Sequence, residues 1–278
     1  MKKIIWLVVA LAALWPQPSR AAGNAEVTML PTRVIMDNAD RFATVTVKNT
    51  GEATGNFTTE LADMQMKEDG MVVPLDEGKT DPYSALPYVH LAPRSFTLKP
   101  GESQNVRLLL RKPEGLAPGE YRSHLKVRLA DDNVENTQAP PAGKKVTGIA
   151  VKTNLVLVIP VIFRHGDTTL SMKIAEPKLT HDTQGKPELD LYLAREGNRS
   201  SMGDITVNYV PSGGGKPVLV KSFPGVPVYR PTARRFVAVP LDVPAGVSLS
   251  SGSLDIIYAA QEKEGGKQLA ETALPLGK

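Results

Sequence analysis

The 278-residue chain contains no cysteine. No disulfide can staple it, even in an oxidising compartment, so apolar cores must hold the fold. Both of its tryptophans, Trp6 and Trp15, stand close to the N-terminus, which excludes an antibody-type domain built around a buried tryptophan and a disulfide. The four histidines, His90, His124, His165 and His181, are scattered. They form no His-x-His, no HExxH and no group with carboxylates at ligand spacing, and His124, inside a strand pattern, reads as a packing histidine. A Gly-x-Ser-x-Gly elbow is also missing. Residues 212–216, SGGGK, resemble a phosphate loop but lack its spacing and a following Ser/Thr, so they read as a hairpin loop. No cofactor and no metal are implied, and nothing points to an enzyme.

Charge of one sign is missing too. There are 33 Lys plus Arg against 29 Asp plus Glu, and Lys2, Lys3 and Arg20 lie in the leading segment, leaving 30 against 29. That balance gives no support to non-specific nucleic-acid binding. The leading segment reads as a signal peptide: Lys2 and Lys3, an apolar stretch from Ile4 to Trp15, then a small-residue exit at Ser19-Arg20-Ala21. Residues 1–21 are expected to be removed. The apolar stretch is short of the ~20 residues a spanning helix needs, and no later run reaches that length.

What the chain does have is a period of two. Turn residues recur every 8 to 15 positions, and the intervals alternate as strands do. Strands are predicted at about 27–36, 41–48, 55–65, 86–91, 94–98, 103–110, 120–129 and 146–163. A second series follows at about 168–177, 188–195, 204–210, 217–222, 234–240, 253–260 and 268–275. Between residues 131 and 145 the rhythm breaks into charges and prolines, which predicts a loop. The expectation is all-β, with two immunoglobulin-like sandwiches over 22–164 and 165–278.

The run VKTNLVLVIPVIFRHGD, residues 151–167, is too long and apolar for an ordinary strand of five or six residues. From Leu155 onward both faces are apolar, as in a strand buried on both sides. Further out, Ile149 and Val151 carry one apolar face toward the charged loop, which is an aggregation hazard unless another protein covers it. Addition of this strand to a partner's incomplete sheet would use backbone for affinity and alternate side chains for fit.

Four segments in order carry a family resemblance: LPTRVIMDNADRFATVTVKNTGE (30–52), LPYVHLAPRSFTLKPGESQNVRLLLR (86–111), PGEYRSHLKVRL (118–129) and IPVIFRHG (159–166). Together they resemble the periplasmic pilus (fimbrial) chaperones of the chaperone–usher pathway. EYRSHLKVRL departs from the Asn-Leu-Arg-Glu type of the familiar branch, which points to a divergent or archaic one. The resemblance implies two immunoglobulin-like domains in an L, a periplasmic location, and a strand lent to pilin subunits that are then passed to an outer-membrane usher. Self-association of the free protein is left open. The implied donor residues are Ile149, Val151, Leu155 and Leu157, with Thr153 a weaker contact. The family anchors the subunit's C-terminal carboxylate with an arginine, which maps to Arg33, on a strand where Leu30, Val34 and Met36 can face the core. Its second cation, a lysine, does not map, because counting back from Arg164 reaches Pro160. Lys152 and Arg122 are the joint candidates, with Lys126 beside them. A two-domain structural or adhesive surface protein is the competing reading, and a secreted hydrolase with a distant carboxylate pair a third.

Overall fold

The computed structural model describes residues 25–130 and 156–277. Its chain is all-β and builds two sandwiches. In the first, one sheet runs β1 (Val27–Leu30), β3 (Phe42–Asn49), β9 (Ser103–Leu110) and β7 (Val89–Ala92). Facing it is a sheet ordered β2 (Val34–Met36), β11 (Val156–His165), β10 (Gly119–Leu129), β4 (Gly55–Ala62) and β8 (Ser95–Leu98). A small hairpin, β5 (Met64–Met66) with β6 (Val72–Pro74), projects beyond β4. The second sandwich packs a sheet of β12 (Ser171–His181), β13 (Pro187–Glu196) and β16 (Arg234–Pro240) on one of β15 (Val218–Val228), β14 (Ser201–Val210), β17 (Gly252–Ala260) and β18 (Gln268–Leu276).

Alternation explains the two cores. In FATVTVKN, Val45 and Val47 turn inward and meet Val106 and Leu108 of β9, while the threonines face out. On the facing sheet Leu125, Val127, Val161 and Phe163 complete this core, and Tyr121 stacks on Phe163 with ring centroids 4.9 Å apart. The second core is independent of the first: Leu189, Leu191 and Leu193 face Ile205, Val207, Leu254, Ile256 and Tyr258. Two separate cores without a disulfide are what the composition requires.

Besides shifted ends, as at 168–177 and 217–222, which are observed as Ser171–His181 and Val218–Val228, two strand expectations need correction. Residues 27–36 form two strands: the chain breaks at Leu30-Pro31, β1 pairs with β3 in one sheet, and β2 joins β11 in the other. The break shifts the inward phase by one residue, from Val27 and Met29 to Val34 and Met36. Leu30 therefore faces solvent, 66% exposed, where an inward position was expected. The strand expected over 55–65 stops at Ala62, and its last residues enter the β5–β6 hairpin, whose turn at Lys67-Glu68-Asp69-Gly70 closes through Gly70 at φ +86°.

Candidate functional site

β10 fixes which way the backbone of β11 faces. Arg122 N donates to Tyr83 O at 2.8 Å, and Arg122 O accepts from Ala85 N, so the main-chain groups of Arg122 turn away from β11. Arg122 stands opposite Ile162, which makes that a non-hydrogen-bonded pair, and such pairs alternate along an antiparallel ladder. His124 with Pro160, Lys126 with Val158, and Arg128 with Val156 are then of the same kind. Val156, Val158, Pro160 and Ile162 accordingly direct their main-chain groups to the far flank of β11. On that flank β2 pairs, in parallel, with Val161, Ile162 and Phe163 only. Among the described residues, no strand covers Val156–Pro160 there.

Exposure follows the same division. Ile159, Val161, Ile162 and Phe163 are buried, as a strand enclosed on both faces should be. Leu157 and Val158 are half-buried, Leu157 against the first core, and Val156 is 39% exposed. Of the expected donor residues only Leu157 can be placed; Ile149, Val151, Thr153 and Leu155 lie outside the described residues, as does Lys152.

Arg33 immediately precedes β2 and lies at the end of the open flank. Its Nη2 donates to Gln261 Oε1 at 2.6 Å, and its Nη1 contacts Met202 Sδ at 2.6 Å, both from the second domain. Among the described residues both partners are neutral, and no carboxylate pairs with Arg33. Arg33 and Pro160 line one cleft of about 550 Å³ between the domains, with Thr32, Tyr229, Gln261 and Lys263. Two carboxylates also stand on its wall: Glu262, and Asp204, which accepts from Gly225 N at 2.8 Å and Gln261 Nε2 at 3.3 Å.

Arg122 is placed elsewhere. It is 3% exposed, its Nη2 donates to Met64 O at 3.1 Å and Arg230 O at 3.3 Å, and its guanidinium lies over the Tyr229 ring at 4.5 Å. Burial lowers its pKa below the usual arginine value and raises that of the Tyr229 hydroxyl. It does not line the Arg33 cleft, though both arginines touch the surroundings of Tyr229. Lys126 pairs with Glu60 at 2.7 Å. Opposite Pro160, His124 is buried with Nδ1 unpartnered among the described residues, and burial, then the Arg122 charge, pushes its pKa down to about 3.

The cleft keeps its shape because the domains meet on two sides. Next to the linker, Glu264 joins Arg164 at 2.9 Å and also pairs with Arg199, while Arg164 Nε reaches Glu120 at 3.4 Å. On the other side the β5–β6 hairpin reaches the second domain. Glu68 O accepts from Phe236 N at 2.7 Å, Glu68 also pairs with Arg234, and Met66 O accepts from Thr232 Oγ1 at 2.7 Å. Met66, Ile162, Met202 and Tyr229 form a small shared core between them. Sequence reading missed Gln261, Met202, Glu264 and Lys263 because each comes from the second domain through folding, with no local motif. No three or more His, Cys, Asp or Glu residues among the described ones form a metal-binding group, and no described helix is long and apolar enough to cross a membrane.

No protein-family model and no curated protein matches the chain. Solved structures similar to it include a chaperone–tip adhesin complex of CFA/I fimbriae, at 10% identity and TM-score 0.47, covering 91% of this chain and 99% of that one. The class 5 fimbriae chaperone CfaA matches at 11% identity and TM-score 0.46, covering 90% and 99%. The pre-assembly complex of chaperone and tip adhesion subunit from the archaic Csu pili of Acinetobacter baumannii matches at 14% identity and TM-score 0.42, covering 91% and 98%.

Proposed function

We propose that this protein is a periplasmic chaperone for pilin subunits: it lends the open flank of β11 to a subunit's incomplete sheet, holds the subunit's C-terminal carboxylate with Arg33, and passes the subunit to an outer-membrane usher. One observation carries the reading. Among the described residues, the flank of Val156–Pro160 is unpaired and ends at an arginine with no directly paired carboxylate. Exposed β-edges invite strand addition, and a strand entering the lane of β2, parallel to β11, brings its carboxyl end to Arg33. The opposite polarity would bring an ammonium there, and like charges repel. A guanidinium has five N–H donors, so the bonds to Met202 and Gln261 and the contact with the Tyr229 hydroxyl leave others for a carboxylate. The donor residues Ile149, Val151, Leu155 and Leu157 and the second cation Lys152 belong to the same proposal.

The test is co-expression with a pilin subunit and recovery from the periplasm. A one-to-one complex is expected from the parent protein and none from Arg33→Ala. Stable capture by Arg33→Ala would remove the anchor role. Recovery of the protein only on the cell surface or in shed material would favour the adhesive alternative.

A further inference from the structure

We propose that Pro160 makes the open flank of β11 selective for a strand that ends there, against one that runs on. The inference rests on the chaperone reading above and adds a specificity-determining residue to it. By the alternation fixed at Arg122, Val156 and Val158 each offer an N–H and a C=O to this flank, whereas Pro160 has no N–H to give. Directly beyond it, Val161–Phe163 are already taken by β2. A strand entering the lane of β2 therefore meets its last backbone donor at Val158.

Two kinds of group could arrive opposite Pro160. An internal peptide carbonyl would leave water and find no N–H, and an unsatisfied acceptor is costly. A terminal carboxylate finds Arg33, which shares the cleft with Pro160 and whose guanidinium matches a carboxylate in shape and charge. Pro160 thus works by weakening competitors rather than by tightening the intended ligand, the way prolines blunt sheet edges against unwanted pairing.

Two fluorescently labelled octapeptides of alternating valine and threonine, one ending in a free carboxylate and one amidated, test this when titrated against the full chain. The parent protein is expected to prefer the acid by about tenfold or more, the worth of one charge-assisted hydrogen bond. Pro160→Val restores the N–H in a strand-favouring residue. It should tighten binding of the amide by about fivefold, the worth of one net backbone hydrogen bond, and narrow the preference. An unchanged acid-to-amide ratio in Pro160→Val overturns the role of Pro160 and leaves the chaperone reading standing. Equal binding of both peptides by the parent, or binding of neither, removes the Arg33 anchor and this inference with it. Pro160→Ala carries the same outcomes if the valine variant does not fold.

Discussion

Arg33 and Gln261, separated by 228 positions in the chain, meet at 2.6 Å across the two domains. The contact fixes the guanidinium in a cleft without supplying an anion, since an amide oxygen accepts a hydrogen bond without neutralising the donor. Arg33→Ala should therefore separate binding from stability. Subunit capture should fall by about 10- to 100-fold, the range for a hydrogen bond to a charged group. The midpoint of unfolding should move by less than about 1 kcal/mol equivalent, because Arg33 is half-buried and its partners are neutral. Parallel loss of capture and of stability would identify Arg33 as a structural residue.

At the open flank, Val156 and Leu157 should behave differently. Val156→Asp puts an anion on an exposed position, so the fold should tolerate it while subunit capture drops. Leu157→Ala removes a half-buried side chain packed on the first core and should cost about 1 kcal/mol of the protein's own stability as well. Denaturant melts beside co-purification distinguish the two. Equal capture by Val156→Asp and the parent would exclude this flank as the docking edge.

Glu264 is the shared acceptor of Arg164 and Arg199, and its side chain is 6% exposed. Glu264→Gln leaves two guanidinium groups facing each other without their common anion. Arg164 keeps Glu120, so the loss should be about 2 kcal/mol, below the 3–5 kcal/mol typical of a fully orphaned buried charge. Calorimetry should show a lower first transition and a wider separation between the two domains' unfolding. A single unshifted transition would show that the hairpin contacts at Glu68 and Thr232 suffice to couple them.

Acid sensitivity should concentrate at His124. Its folded pKa, about 3, lies below the ordinary histidine value of 6.5, so the unfolded chain binds the proton more readily. The stability this contributes is full above pH 6.5 and is lost as pH falls from there toward 3, by at most about 1.4 kcal/mol per pH unit for one proton. His124→Leu should flatten the decline in guanidinium midpoint between pH 6.5 and pH 4. An equally steep decline in the variant would assign the acid sensitivity to other groups.

Most of the fold was readable from the period-two alternation, because in a two-sheet sandwich the inward residues of each strand must be apolar. The strands at 103–110, 120–129, 234–240 and 268–275 match within a residue. Leu30 was misread because alternation says which residues share a face only while the strand is unbroken, and Pro31 interrupts it. The hairpin at 64–74 was misread for the opposite reason: its short strands continue an apolar pattern, and only their docking on Thr232 and Phe236 gives them a separate direction. Arg33 could be singled out from its segment. Its surroundings could not, since Gln261 and Met202 come to it from another domain. Arg122 was a candidate for the second cation, but its guanidinium is buried against the hairpin carbonyl of Met64 and the ring of Tyr229.

The antiparallel register between β10 and β11 runs without a slip from Gly119 opposite His165 to Arg128 opposite Val156. A force along β11 would load these rungs together, in shear, instead of opening them one after another. A strand seated on the free side could then be pulled along its length without unzipping β11 from β10, and its detachment would have to begin by peeling from one end.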